Sequence, residues 1–213
     1  MTEEKLYLLN KVITTNIKEF SEVWRTNNLP VWIREGVIHV GSWRWLTNGT
    51  NNEIVRLFEF KNFVHYTGWI NLRDNTPEGL TRVTLSNPYI LNLRQFMMRA
   101  APYFTPQYFP LSEGKLYQMV TVTTNNRKDY SQEWTKYELP FLEKNGVGYI
   151  GSWTWLMGGP NNEIIRFFEF RDYAHLSDWL SRSGDSQEEK DRIRRINSYI
   201  IKTETNLLKK VPY

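Results

Sequence analysis

Gly41-Ser-Trp-Arg-Trp-Leu-Thr-Asn-Gly-Thr-Asn-Asn-Glu-Ile-Val-Arg-Leu-Phe-Glu-Phe60 returns 110 positions later as Gly151-Ser-Trp-Thr-Trp-Leu-Met-Gly-Gly-Pro-Asn-Asn-Glu-Ile-Ile-Arg-Phe-Phe-Glu-Phe170. At that fixed shift Leu6–Tyr103 aligns without gaps on Leu116–Tyr213, and 35 of the 98 pairs are identical. Self-similarity at domain length, far above the period of a solenoid, reads as a tandem duplication of one fold. The expected organisation is a domain over 1–103, a linker over 104–115 containing Pro106, Pro110 and Gly114, and a second domain over 116–213.

Working outward from the repeated stretch, Val37–Leu46 and Asn52–Phe60 read as two strands around a turn at Thr47–Asn51, whose Asn48-Gly49 pair suits positive φ. Upstream, Leu6–Ile13 is rich in strand formers. Asn16 then offers an N-cap to a helical spacing of Ile17, Phe20 and Trp24, with Pro30 predicting a kink or two pieces and Gly36 a stop. Downstream, Asn62–Arg73 reads as a second helix. Asp74–Leu85 is looser than the firmly helical Gly184–Arg195, and last strands fall at Gln95–Ala100 and Asn206–Lys210. The order β-α-β-β-α-β is that of a ferredoxin-like domain. Strand alternation groups His39, Gly41, Trp43 and Trp45 with Arg56, Phe58 and Phe60. The aliphatic side, with Val40, Leu46, Val55 and Leu57, is expected under the helices. An aromatic face of that size does not suit water. The expectation is therefore an α+β protein in which the two sheets close face to face into a pseudo-twofold α+β barrel.

Composition narrows the function classes. The chain has 40% hydrophobic and 15% aromatic residues, a net charge of +4 and no cysteine. Disulfides and thiolate chemistry are thereby excluded. The basic residues are scattered, apart from Lys190–Arg195 and Lys209–Lys210, so no nucleic-acid partner is expected. No apolar run is long enough to span a bilayer, and Met-Thr-Glu-Glu-Lys at the start has neither an apolar region nor a transit-like charge pattern. No membrane partner and a cytoplasmic location are the expectations. Phosphate-loop, dinucleotide, zinc and nucleophile-elbow motifs are missing from the sequence.

Gly-Ser-Trp-Thr followed by Asn-Glu-Ile-Ile-Arg-Phe-Phe-Glu-Phe, the Leu-Pro…Gly spacing of the first helix, and the ending Pro-Tyr-Ile-Leu…Met-Met-Arg-Ala-Ala-Pro-Tyr resemble the NIPSNAP domain of the dimeric α+β barrel superfamily. The resemblance covers both halves and implies that fold. That superfamily includes cofactor-free monooxygenases, haem enzymes, isomerases and proteins of no known activity. The family often carries His where this chain has Arg56 and Arg166, and Trp where it has Phe58 and Phe168. Roles tied to those residues do not transfer.

The candidate site residues follow from the predicted facing. Arg56 and Arg166, mid-strand among aromatics, suit an anion anchor or a structural pair with Glu53/Glu163 or Glu59/Glu169. Trp43, Trp45, Phe58, Trp153, Trp155 and Phe168 either line a pocket for a flat apolar ligand or pack a closed barrel. His39 has Tyr149 as its counterpart, an asymmetry that suits an acid/base and a hydrogen-bond donor. His65 and His175 read as capping or core histidines, with haem ligation the sharper alternative. Asn51–Glu53 and Asn161–Glu163 read as turn-bonding residues. The function expected is a metal-free, cofactor-free small-molecule enzyme of oxygenase, isomerase or cyclase type acting on an aromatic or polyketide-like substrate. The alternatives are a ligand-binding or interaction scaffold and a haem-binding protein. A monomer with an internal pseudo-dimer is expected, open to further association.

Overall fold

The computed structural model describes residues 4–104, 111–182 and 186–211. Pro106, Pro110 and the start of the Gly184–Arg195 segment lie outside them. The chain forms two units, one essentially Met1–Arg99 and the other Ala100–Trp155 with Gly159–Lys209. Among the described residues no helix is long and apolar enough to cross a membrane.

The N-terminal unit runs β1 (Leu6–Thr14), α1 (Ile17–Val23), a π-helical turn (Trp24–Asn28), α2 (Leu29–Arg34), β2 (Ile38–Trp45), β3 (Glu53–Phe60), α3 (Phe63–Asn75), α4 (Pro77–Ser86) and β4 (Ile90–Ala100). The Asn16 side chain accepts from the Lys18 and Glu19 amides and starts α1 as expected. Pro30 falls in the first turn of α2, where its missing N–H costs nothing, and the π-helical turn before it absorbs the change of direction. Gly36 ends α2 at φ +79 and Asn48 turns the hairpin at φ 55. The segment expected to be loose is the helix α4. Thr76 caps it by accepting from the Gly79 amide at 3.0 Å, and Pro77 begins it. Strand β4 also starts earlier than expected, at Ile90.

The sheet of this unit is antiparallel, with β3 between β1 and β2 and β4 on the other side of β1. Every residue of β3 is buried. Its Ile54, Phe58 and Phe60 pack with Trp24, Trp32 and Trp69, so this face, and not the Val55/Leu57 face, lies under the helices. The expected grouping of Trp43 with Arg56 also fails, because β2 carries a bulge between His39 and Gly41. One extra residue shifts the alternation. His39 lies opposite Phe58 on the helix side, whereas beyond the bulge Ser42 takes the place opposite Arg56 and Trp43 the place opposite Val55. Trp43 is fully buried on the face away from Arg56.

The C-terminal unit has the same order: β5 (Leu116–Thr124), α5 (Arg127–Glu133), a π-helical turn (Trp134–Glu138), α6 (Leu139–Lys144), β6 (Gly148–Met157), β7 (Glu163–Phe170), α7 (Tyr173–Arg182), α8 (Gln187–Asn197) and β8 (Ile200–Lys210). Strand β7 lies between β5 and β6, and β8 pairs with the other edge of β5. The bulge recurs between Tyr149 and Gly151, so Ser152 opposes Arg166 and Trp153 opposes Ile165. A Cβ built on Gly151 would stand 2.2 Å from the Trp153 ring, so the glycine of Gly-Ser-Trp makes room for the tryptophan two residues on.

Candidate functional site

In the N-terminal unit the sheet and its helices line a partly open cavity of about 250 Å³. Its floor comes from β1, β3 and β4 through Asn10, Arg56 and Gln95, and its roof from Trp24, Trp32, Trp69 and Arg82. The roof is fixed by aromatic packing. Trp32 stacks on Phe58 at 4.1 Å between ring centroids and tilts against Trp69 at 4.1 Å. Polar groups sit at defined places in this apolar shell. Gln95 donates to Asn10 Oδ1 at 3.2 Å, and Asn28 donates to Ser86 Oγ at 2.9 Å. Arg73, bonded to Asp74 at 2.6 Å, lies 5.4 Å over the Trp69 ring.

Besides Arg73, two cations line the cavity. Arg56 is buried, its guanidinium 4.1 Å from the Trp24 ring centroid and 4.6 Å from that of Phe20. Arg82 is 6% exposed, and burial lowers its pKa from the usual arginine value. Its Nε is buried with no hydrogen-bond partner among the described residues. Arg82 lines the cavity among aromatic walls, and a buried guanidinium with no bonded acceptor suits one from outside the chain.

Sequence reasoning placed Arg56, Phe58, Trp43 and Trp45 around one space. The structure joins Arg56 and Phe58 on the helix-covered side and sets Trp43 apart. Trp45 is half-buried, with the Lys11 ammonium 5.4 Å from its ring centroid. His39 lies between Trp24 and Phe58, at 5.2 and 5.5 Å, and its Nε2 is 2.8 Å from Ser42 Oγ. Burial, and then the charge of Arg56, lower its pKa to about 3. The ring is therefore neutral near pH 7 and a weak base.

In the C-terminal unit Tyr149, Ser152, Arg166 and Tyr130 form one buried network. Arg166 Nε donates to Ser152 Oγ at 2.9 Å, its Nη1 bonds the Tyr130 hydroxyl, and the Tyr149 hydroxyl bonds Ser152 Oγ. The Arg166 guanidinium also lies 4.0 Å over Trp134. Burial pushes the Tyr149 phenol up from its ordinary value. Phe168 packs in the same helix-side core, Trp153 is fully buried, and Trp155 donates to Glu163 at 2.9 Å. The His39/Tyr149 difference is thus, within each unit, a difference in the partner of the equivalent serine, Ser42 or Ser152.

His65 and His175 join elements. Nδ1 of His65 accepts from the Lys61 amide at 3.1 Å and its Nε2 faces the Glu35 carbonyl at 2.7 Å. His175 does the same with Arg171 and Asn145, at 3.2 and 2.9 Å. Both ring nitrogens of each are engaged, leaving no lone pair for iron, so these residues do not fit haem ligation.

Arg82, Trp32, Trp69 and Asn28 were not singled out from the sequence. The signal was there. Arg82 recurs as Arg192 inside the most divergent segment, while Asn28 faces Glu138 in the alignment.

No family model matches the chain, and no curated protein matches it. Solved structures similar to it include putative monooxygenases and NIPSNAP family proteins. A putative monooxygenase from Lactobacillus acidophilus NCFM is 12% identical, covers 97% of this chain and 93% of its own, and superposes with a TM-score of 0.65. An anthrone oxidase-like protein is 8% identical over 99% of this chain and 92% of its own, with a TM-score of 0.57. An uncharacterized NIPSNAP domain protein from Burkholderia xenovorans is 21% identical over 46% of this chain and 94% of its own, with a TM-score of 0.40. The first two likenesses, nearly full-length on both sides, concern the fold alone.

Proposed function

We propose that this chain is a small-molecule enzyme of monooxygenase-like type, built from two ferredoxin-like repeats over 1–103 and 116–213, whose substrate sits under the helices of the N-terminal repeat. The observation that carries the reading is the cavity of about 250 Å³ walled by Trp24, Trp32 and Trp69 and bearing Arg56 and Arg82. An apolar cavity of about 150 Å³ already holds benzene, so this one suits a substituted ring or two fused rings. Of the residues expected to act, Arg56 keeps its role as a cation near developing negative charge. Arg82 joins it, and Trp43 and Trp45 give way to Trp24, Trp32 and Trp69 as the ligand's walls.

The chemistry that suits this lining starts from a ring-stabilised carbanion that enters already ionised. The anionic carbon carries a single hydrogen and two carbon substituents. Its reaction with dioxygen gives the ketone and hydroxide: a C=O bond forms, and the C–H and O–O bonds break. The substrate carbon supplies both electrons of the carbanion pair and both of the C–H bond, one oxygen atom stays in the product, and the other leaves with the hydrogen as hydroxide. That hydroxide then takes a proton from water or the next substrate molecule. The two guanidinium groups offset the negative charge throughout. Support for the reading also comes from the names of two full-length structural relatives, a putative monooxygenase and an anthrone oxidase-like protein.

A second reading, a carrier without catalysis, is favoured by one observation. Asp74 in the cavity wall is held by Arg73, and His39 is held by Ser42, so neither is poised as a base. Oxygen uptake with a panel of carbon-acidic aromatic compounds, followed by mass analysis after exposure to heavy-isotope dioxygen, separates the two. Uptake with one heavy oxygen in the product is the expected outcome. Saturable binding of the same compounds without uptake would leave the carrier.

A further inference from the structure

The two halves differ at one position that bears on what the cavity takes. In the C-terminal half Glu138, last residue of its π-helical turn, forms an ion pair with Arg192 of α8, the two side chains being only 14% and 10% exposed. The Arg192 guanidinium also lies 3.9 Å over the Phe141 ring. The N-terminal half keeps the arginine as Arg82 on α4 but has Asn28 at the end of its π-helical turn. Asn28 turns to Ser86. Nε is buried without a hydrogen-bond partner in both Arg82 and Arg192, so the difference between them is the ion pair, which Arg192 makes and Arg82 does not make among the described residues.

The neighbouring carboxylates are already engaged. Glu78, one turn before Arg82 on α4, gives its two oxygens to Arg34 at 3.0 and 2.8 Å. Glu35 is held by the same arginine at 2.9 Å, and Asp74 by Arg73 at 2.6 Å. Glu78 and Glu35 therefore act on Arg82 only through space, and burial outweighs them. A buried guanidinium without a directly bonded carboxylate is costly, and the C-terminal half shows which group relieves that cost. The aromatic wall differs in the same sense: Trp32 lines the cavity, and its equivalent is Leu142.

We propose that the cavity selects an anionic aromatic compound, an aromatic carboxylate being the simplest, whose anionic group pairs with Arg82 as Glu138 pairs with Arg192. Trp32 and Trp69 then hold the ring. The inference rests on the reading that this cavity takes a small aromatic molecule, and the test separates the two.

Titrations followed by calorimetry or tryptophan fluorescence would compare benzoate with benzamide, its neutral isostere, up to millimolar concentration. Native protein, Asn28→Glu and Arg82→Gln would be used. Benzoate is expected to bind native protein at least about tenfold tighter than benzamide, as a charge-assisted bond implies. Asn28→Glu supplies the missing carboxylate from within. It should weaken benzoate by about tenfold and leave benzamide within about twofold. Because it adds a counter-charge, it should fold, as circular dichroism would check; Arg82→Gln should abolish the preference by removal instead. Equal affinity of native protein for both probes overturns the anion preference and leaves the cavity reading standing. A benzoate preference untouched by either variant overturns the role of Arg82. Binding of neither probe overturns the cavity reading and the inference with it.

Discussion

Glu138 and Arg192 meet as an ion pair with both side chains nearly buried. Burial pushes the Glu138 carboxyl above the usual carboxylate range even with that guanidinium beside it. The pair is therefore a weak source of stability that becomes costly when broken. Glu138→Gln strands Arg192 over Phe141 and should cost about 3 kcal/mol in urea unfolding. Replacing both, as Glu138→Leu with Arg192→Met, should recover most of that loss. A double variant no more stable than the single one would show that the pair is a net stabiliser.

Ser152 serves two buried groups, accepting from Arg166 Nε and bonding the Tyr149 hydroxyl, whereas Ser42 meets the half-buried His39 ring. Ser152→Ala leaves a charged donor and a phenol buried without this acceptor and should cost about 2–3 kcal/mol. Ser42→Ala should cost about 1 kcal/mol. Denaturant midpoints of the two variants, at unchanged m-values, give the comparison; equal costs would contradict the network.

The local elements of this fold are legible because they rest on local chemistry. Asn16 and Asn126 cap helices, Gly36 and Gly146 take positive φ, and Asn48 turns its hairpin, all within a few residues of the cause. The facing of the sheet is different. It depends on one bulge residue in β2 that no residue type announces, and that residue moves Trp43 away from Arg56. The α4 helix was readable from Thr76-Pro77-Glu78, an N-cap with proline at the first position, but Pro77 and Gly79 together read as a looser segment. There the glycine is demanded by packing, since a Cβ would stand 2.2 Å from the Arg73 carbonyl oxygen. The cavity itself depends on side chains from several separated segments, and periodicity carries no such information.

Gly151 is a packing glycine of the same kind. Its φ is not positive, yet a Cβ would come within 2.2 Å of the Trp153 ring, which is fully buried. Gly151→Ala must move that ring and should cost about 2 kcal/mol, at the level of ordinary overpacking. Gly114→Ala is the contrast: nothing lies within 4 Å of its added Cβ, and the strain there comes from φ +83 alone. Near-UV circular dichroism should change for Gly151→Ala and not for Gly114→Ala.

His39 couples this interior to pH. Its folded pKa is about 3 against 6.5 in the unfolded chain. Between those values the unfolded state binds the extra proton, so stability must fall as pH falls from 6.5 towards 3. Because the ring is only half-buried, the slope should be about 1 kcal/mol per pH unit, somewhat under the full linkage value. His39→Tyr puts in the residue that the C-terminal half uses at the equivalent position, keeps a hydroxyl for Ser42, and does not titrate in this range. The difference in unfolding free energy between native protein and His39→Tyr, followed from pH 7 to pH 4, removes the shared carboxylate titrations. That difference should grow in favour of the variant as pH falls. A difference independent of pH would mean that His39 is protonated as readily in the folded chain as in the unfolded one.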